Sequence, residues 1–526
     1  MNRWSRRSVL GLMASAPFLA AAPRAAHAVS APTGDLETRI QEIIGRPEFA
    51  GSHWGIEFHA TDTGQPLYSL NAAELFVPGS SFKVFPAGTA FETLGAGHRF
   101  RTRVYRTGPL VKGVLKGDLV LVAGGDLLLS GRLRRDGSLA LPDPDHSYDL
   151  SQGAGPLPGD PLAELRGLAR QVAARGVRRV EGRVLVDVSL FREGKESLAN
   201  GMQNATMSPV MVNDNLVDIT VKPGGAAGQP AVLEVSPPNA YLKVLNGVTT
   251  VAAGTAARPL TFTGAADAPD GTHSVTITGD VPLGVPKLFR AYYVPAPARF
   301  AAALFAGALR DEGVRAEAGL TESPRPSSHY THGNRLAEHV SPALPDELKV
   351  MLKVSSNIHT AMWPYLIGAI AGRDAENAKA AGMALQRELF ERAGLDGTPP
   401  GASEGTYTPR FFTRFLDHMS RRPYYRAYRR TLPILGRDGT LADVQPDSPA
   451  AGHVFAKTGT AVRLQQGPAD LSKGLAGFVE LPDGRVLTFA TFARLRAPSA
   501  EGAMELARLA GQALGEIAAA SYETSR

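Results

Sequence analysis

Apolar positions along this chain switch between a helical period and a strand period, and the switches outline its organisation. Residues 36–44 repeat at helical spacing and stop at Gly45 and Pro47. Residues 54–59 and 67–70 read as two strands, with Asp62-Thr63-Gly64 as a hairpin turn between them. The stretch 77–95 predicts a loop that becomes a helix. Pro86 lies inside it and removes a backbone donor, so a kink or an early break is expected there.

From about Phe100 the apolar runs become short and rich in valine: 101–105, 115–122, 177–186, 215–221, 232–235, 260–264 and 273–279. They predict strands. The Gly-, Pro- and Asp-rich stretch 130–160 reads as a long surface loop, and 162–175 has helical spacing. Helical periodicity returns at 296–313, 345–354, 357–371, 375–393 and 409–421. A hairpin is expected at 475–481 and 485–493 through Pro482-Asp483-Gly484, and an amphipathic helix at 500–520. With 526 residues the chain is too long for one ordinary core. The pattern predicts a mainly β region at 100–290, inserted into a domain formed by 29–99 and 291–526.

Three short motifs carry chemistry. Ser80 and Lys83 are three apart at a predicted helix start, so their side chains share a face. A serine hydroxyl is a weak nucleophile until a base removes its proton, and a desolvated lysine is such a base. This S-x-x-K spacing alone proves little, because chance matches are common and the plain alternative is a helix cap beside an exposed lysine. Ser355-Ser356-Asn357 follows the apolar run 348–354, and Lys457-Thr458-Gly459-Thr460 follows a strand-like stretch, 452–456. The S-x-N pattern also occurs at Ser69-Leu70-Asn71, whereas K-T-G occurs once. The ordered trio in suitable local contexts is what raises the signal.

Charge and composition then narrow the setting. Ser5-Arg6-Arg7-Ser8-Val9-Leu10 is a twin-arginine pattern before an apolar run too short to span a membrane, and Ala26-His27-Ala28 is a small-x-small cleavage site. Residues 1–28 are therefore expected to be a signal peptide, and the protein exported, with at most peripheral membrane contact. Losing Arg3, Arg6, Arg7 and Arg24 lowers the formal charge from +6 to +2, so the basic balance is no argument for nucleic acid. The chain has no cysteine, which excludes disulfides and thiol chemistry. His329 and His332 stand outside any metal-ligand pattern and read as surface residues; no metal or cofactor is expected. The cluster Arg421, Arg422, Arg426, Arg429 and Arg430 with Tyr424, Tyr425 and Tyr428 suits either an anionic glycan or plain solvent.

The trio, with Gly117-Asp118-Leu119-Val120-Leu121, Gly124-Gly125-Asp126, residues 176–191, Asn213-Asp214-Asn215, Leu432-Pro433 and residues 436–441, resembles the class C low-molecular-mass penicillin-binding proteins. These are D-alanyl-D-alanine carboxypeptidases and endopeptidases. The resemblance implies an α+β, β-lactamase/DD-peptidase-like catalytic domain, helices around an antiparallel sheet, with a large β-rich insertion that is itself interrupted by a nested subdomain near 215–280. It implies peptidoglycan peptides as substrates, β-lactams as covalent inhibitors, and no cofactor. By the same resemblance Ser80 is the nucleophile and Lys83 its base, while Ser355 relays a proton and Asn357 holds Lys83 and the substrate amide. Lys457 and Thr458 bind the terminal carboxylate, Gly459 leaves room for the substrate backbone, and the N–H groups of Ser80 and Thr460 form the oxyanion hole. The sequence departs from the family at Ser356, where Asp or Asn is usual, in the short segment 401–405, and in the length of 130–160. A β-lactamase or esterase of the same fold is the rival reading, against which stand the insertion and the absence of an evident deacylating glutamate. A non-catalytic wall-binding protein is a third, opposed by the intact motif residues.

Overall fold

Five antiparallel strands form the sheet on which the rest of the catalytic part is assembled. Their order is Val454–Leu464, Ala469–Glu480, Val486–Ala497, His53–Ala60 and Pro66–Leu70, so the K-T-G strand lies at one edge. Central strands here are apolar almost throughout, because both faces are covered: residues 487–493 are all buried. On one face pack the helices Leu36–Ile44 and Ala500–Glu523, closing a core of Ile56, Leu471, Leu475, Phe489, Ala510 and Ile517. On the other face the helices Val84–Leu94, Asn357–Ile370 and Pro409–Ser420 share a second core with Phe478 and Phe492. The fold is α+β, with helices around an antiparallel sheet.

This computed structural model describes residues 36–198, 203–324, 329–399, 401, 405–464 and 468–525. The twin-arginine pattern, the Ala26-His27-Ala28 site and residues 402–404 of the shortened segment lie outside them.

Between the Ser80 helix and the second motif the chain builds a separate β-rich core. A four-stranded sheet has the order Arg335–Val340, Arg101–Arg106, Leu119–Val122 and Val184–Asp187. Two three-stranded sheets occupy 216–293, one around Leu216–Lys222 and one around His273–Pro282. The edge expected at 290 is displaced. Helix Pro297–Asp311 buries Phe300, Phe305 and Leu309 against Leu119, Leu121 and Val186, and strand Arg335–Val340 pairs with Arg101–Arg106. Residues 291–324 and 329–340 therefore pack with the insertion, and the helices around the five-stranded sheet resume at Leu344. An amphipathic helical pattern says that one face is buried but not against which core, which is why periodicity misplaced this edge.

A second correction concerns 130–160. It is an irregular segment, as expected, but not a solvated surface loop: Arg132, Asp145 and His146 are fully buried. Its polar composition serves an internal ion-pair network.

Candidate active site

Ser80 begins the site on a tight 3-10 turn, Gly79–Lys83, where residues three apart eclipse one another. That puts the Ser80 and Lys83 side chains on one side. Gly79 has φ +52°, and an added Cβ would stand 2.5 Å from the Thr460 amide nitrogen. Only glycine lets the turn close so tightly on the K-T-G strand. The turn then widens into the α-helix Val84–Leu94, and Pro86 falls in its first turn, where an N–H has no partner within the helix. The break expected at Pro86 thus takes the form of a change of pitch just upstream. Phe85 anchors this helix among the rings of Phe390, Phe411, Phe412 and Phe415. The Tyr428 hydroxyl donates to the Val84 carbonyl at 2.9 Å.

The second motif sits where two helices meet. Helix Leu344–Lys353 ends and Asn357–Ile370 begins, with Ser355 between them at φ +60°. A serine in the left-handed region stores strain, held in place by its neighbours. Its carbonyl accepts from Lys83 Nζ and, at 2.5 Å, from the Tyr148 hydroxyl. Ser356 is buried and caps the following helix by accepting from the His359 N–H at 3.4 Å. Asp, Asn and Ser all serve at an N-cap, so the departure at this position preserves the local geometry.

Lys83 is buried, and its Nζ donates to Asn357 Oδ1 at 2.9 Å, Ser355 Oγ at 3.2 Å and the Ser356 carbonyl at 3.4 Å. All these acceptors are neutral. Burial, reinforced by the Lys457 charge, pulls the Lys83 pKa well below its ordinary value. A neutral amine next to the serine turn is the form that accepts a proton.

Lys457, Thr458, Gly459 and Thr460 lie within the edge strand. Lys457 is fully buried, and its Nζ donates to the Thr458 carbonyl at 3.0 Å. Burial lowers its pKa to about 7, opposed by Asp143 and assisted by Lys473. The structure gives Gly459 a reason different from the one expected. An added Cβ there would lie 1.8 Å from the Pro78 carbonyl oxygen and 2.6 Å from Ser81 Oγ. The missing side chain makes room for the serine turn itself.

A cavity of about 520 Å³ opens over these groups, lined by Ser80, Ser355, Thr458 and Thr460 together with Asp143, Tyr148 and Lys473. The last three were not singled out from sequence. Asp143 and Tyr148 come from the 130–160 segment, which forms one wall. It is fastened by a buried network: Arg132 Nη2 lies 2.7 Å from Asp145 and 2.5 Å from Asp214, and His146 bridges Asp214 and Asp218 at 3.0 Å each. His359, two residues after Asn357, reaches Asp214 at 3.2 Å. Burial opposes the Asp214 charge, but Arg132 and His359 hold its pKa well below the usual carboxylate range. Asp145, His146 and Asp214 are close enough to share a metal ion, yet the Arg132 guanidinium already supplies the cation. Elsewhere, Arg421 meets Asp417, Arg422 meets Glu92, and Arg429 meets Glu480, so much of the arginine cluster is neutralised. His329 and His332 are exposed.

An antiparallel sheet edged by K-T-G, a serine turn with its lysine, and a buried S-x-N corner define a serine-type peptidase of the penicillin-binding fold. The chain belongs to the D-Ala-D-Ala carboxypeptidase 3 (S13) family, whose sequence profile matches residues 36–507. It is 29% identical over 496 residues to the D-alanyl-D-alanine carboxypeptidase of Actinomadura sp. (strain R39), covering 89% of this chain and 83% of that one. Its fold resembles penicillin binding protein 4 from Haemophilus influenzae, with a TM-score of 0.63 at 19% identity over 90% of this chain and 99% of that one. The same protein complexed with a β-lactam gives a TM-score of 0.59 at 19% identity, over 86% and 92% of the two chains.

Proposed function

We propose that Ser80 is the acylated residue of this carboxypeptidase and that the motif residues divide the work as follows. Lys83 Nζ takes the hydroxyl proton as Ser80 Oγ attacks the carbonyl carbon of a D-Ala-D-Ala bond. The Ser80 and Thr460 N–H groups steady the oxyanion, each such donor being worth ~3 kcal/mol in comparable sites. Ser355 passes the proton to the departing amine, leaving an ester on Ser80, which water then hydrolyses. Asn357 orients Lys83, and Lys457 and Thr458 hold the substrate carboxylate. The observation that carries this reading is the buried Lys83, bound only to neutral oxygens of Ser355, Ser356 and Asn357, beneath a cavity that Ser80 lines. Intact-mass measurement after incubation with a penicillin tests it. A lasting single adduct with D-alanine release from peptides supports the peptidase; rapid drug turnover without it supports a β-lactamase or esterase.

The depressed lysines set the expected pH profile. Below the lowered Lys83 pKa the base is protonated and kcat/KM falls. On the alkaline side, Lys457 loses its charge as pH rises through about 7 in the free protein, and carboxylate capture weakens. A bell-shaped kcat/KM profile for a D-Ala-D-Ala peptide is the expected result. A profile that only rises with pH would remove the charged Lys457 from the scheme.

We further propose that the protein works in the periplasm or otherwise outside the membrane after cleavage following Ala28, on peptidoglycan peptides and with β-lactams as covalent inhibitors. Among the described residues no helix is long and apolar enough to cross a membrane. N-terminal sequencing of exported protein should begin at Val29; material still starting at Met1 would refute the cleavage.

A further inference from the structure

Strand Ala469–Glu480 faces the terminal helix with Leu471, Lys473 and Leu475, residues two apart on one side of the sheet. Leu471 and Leu475 are buried in the core that this helix closes. A lysine between them breaks the apolar row, and local breaks of pattern mark functional positions more often than structural ones. The helix makes space for it: Gly511 stands opposite, and even an added Cβ would be 3.6 Å from Lys473 Nζ. In register, Lys473 pairs with Thr460 of the K-T-G strand, and Nζ donates to Thr460 Oγ1 at 2.7 Å.

We propose that Lys473 is a specificity-determining residue that binds the substrate's terminal carboxylate together with Thr458 and Thr460. The inference rests on the D-Ala-D-Ala reading above and deepens it by adding a second cation to the carboxylate subsite. Thr458, Thr460 and Lys473 form a polar cluster on a mostly apolar face, and all three line the cavity that holds Ser80. Accepting from Lys473 leaves the Thr460 hydroxyl with its own hydrogen to donate, aligned for an anion. Arg508, the other cation on this wall, is already paired with Glu505 at 2.6 Å and 2.9 Å. Lys473 is bound to a hydroxyl instead. Burial lowers its pKa to about 8, so the ammonium form still predominates at neutral pH and lacks the partner that a carboxylate would supply.

The test uses the full mature chain, the variants Lys473→Met, Lys473→Gln and Lys473→Arg, and two tripeptides identical except that one ends in a free D-Ala carboxylate and the other in its amide. For the free acid, Lys473→Met and Lys473→Gln should lower kcat/KM roughly 10- to 100-fold, chiefly through KM, the loss expected for one charge-assisted hydrogen bond. For the amide they should change it little, and Lys473→Arg should recover most of the loss. Binding of the same peptides to Ser80→Ala protein, by calorimetry, gives a readout independent of turnover: the Met and Gln variants should bind only the acid more weakly. Equal losses on acid and amide, or unaltered acid binding in folded variants, would overturn the inference. Failure of the wild type to release D-alanine while these binding differences persist would instead overturn the peptidase reading.

Discussion

Ser80→Ala is expected to leave a folded protein that neither takes up penicillin nor releases D-alanine. The acyl-enzyme is proposed to form on Ser80, so the loss should reach the background of the assay. Lys83→Ala should come close to the same result, because Ser80 then faces no base. The cause is specific: Lys83 is buried among neutral oxygens, and burial with the Lys457 charge favours its uncharged form. Lys457→Ala is expected to be milder towards labelling at high drug concentration, since its proposed task is to hold a carboxylate. One charge-assisted hydrogen bond is worth about 1.5–3 kcal/mol, or roughly 10- to 150-fold. Acylation rates of the three variants, followed by intact mass, give the order. If Lys457→Ala were as inert as Ser80→Ala while remaining folded, Lys457 would belong to the proton-transfer path instead.

How far the site was legible depended on whether its parts follow a local rule. The three motifs do: each has a fixed spacing at an element end, and the structure brings Ser80, Ser355, Thr458 and Thr460 to one cavity with Lys83 beneath it. The five-stranded sheet and its covering helices were likewise announced by period and turn residues. The 130–160 wall was not. Its burial comes from charge pairing among Arg132, Asp145, His146, Asp214 and His359, partners as far as 145 positions apart, and no periodicity encodes that. A run such as Asp143-Pro144-Asp145-His146-Ser147-Tyr148-Asp149 scores as solvated loop by composition. The signal that could have found it was indirect: one histidine, His146, among the acids Asp143, Asp145 and Asp149, beside the Asn213-Asp214-Asn215 match. Lys473 offered a clearer signal in the break it makes between Leu471 and Leu475. The misplaced edge at 290 has a different origin, since helical amphipathicity is silent about the partner core.

Arg132→Met is expected to unfasten that wall. The guanidinium is the shared cation of Asp145 and Asp214, all three fully buried. Removing one member of a buried ion pair strands the opposite charge at a cost of about 3–5 kcal/mol. Here Asp145 suffers most. Asp214 keeps His146 and His359, whereas Asp145 keeps only the Ser147 hydroxyl and N–H, at 2.6 Å and 3.1 Å, and the charge of nearby His146. The segment 143–148 should then detach, and with it the Tyr148 hydroxyl that donates to the Ser355 carbonyl. Burial raises the Tyr148 pKa, so this hydroxyl stays protonated and a donor. Two consequences follow in one variant: faster proteolysis and hydrogen exchange within 130–160, and slower acylation of Ser80 because the strained Ser355 corner loses a restraint. Adding Asp145→Leu to Arg132→Met should recover part of the stability, since buried ion pairs exchanged for apolar groups of similar size are often tolerated. Arg132→Met protein with wild-type exchange in 130–160 and an unchanged acylation rate would show that the wall stands without its buried charges.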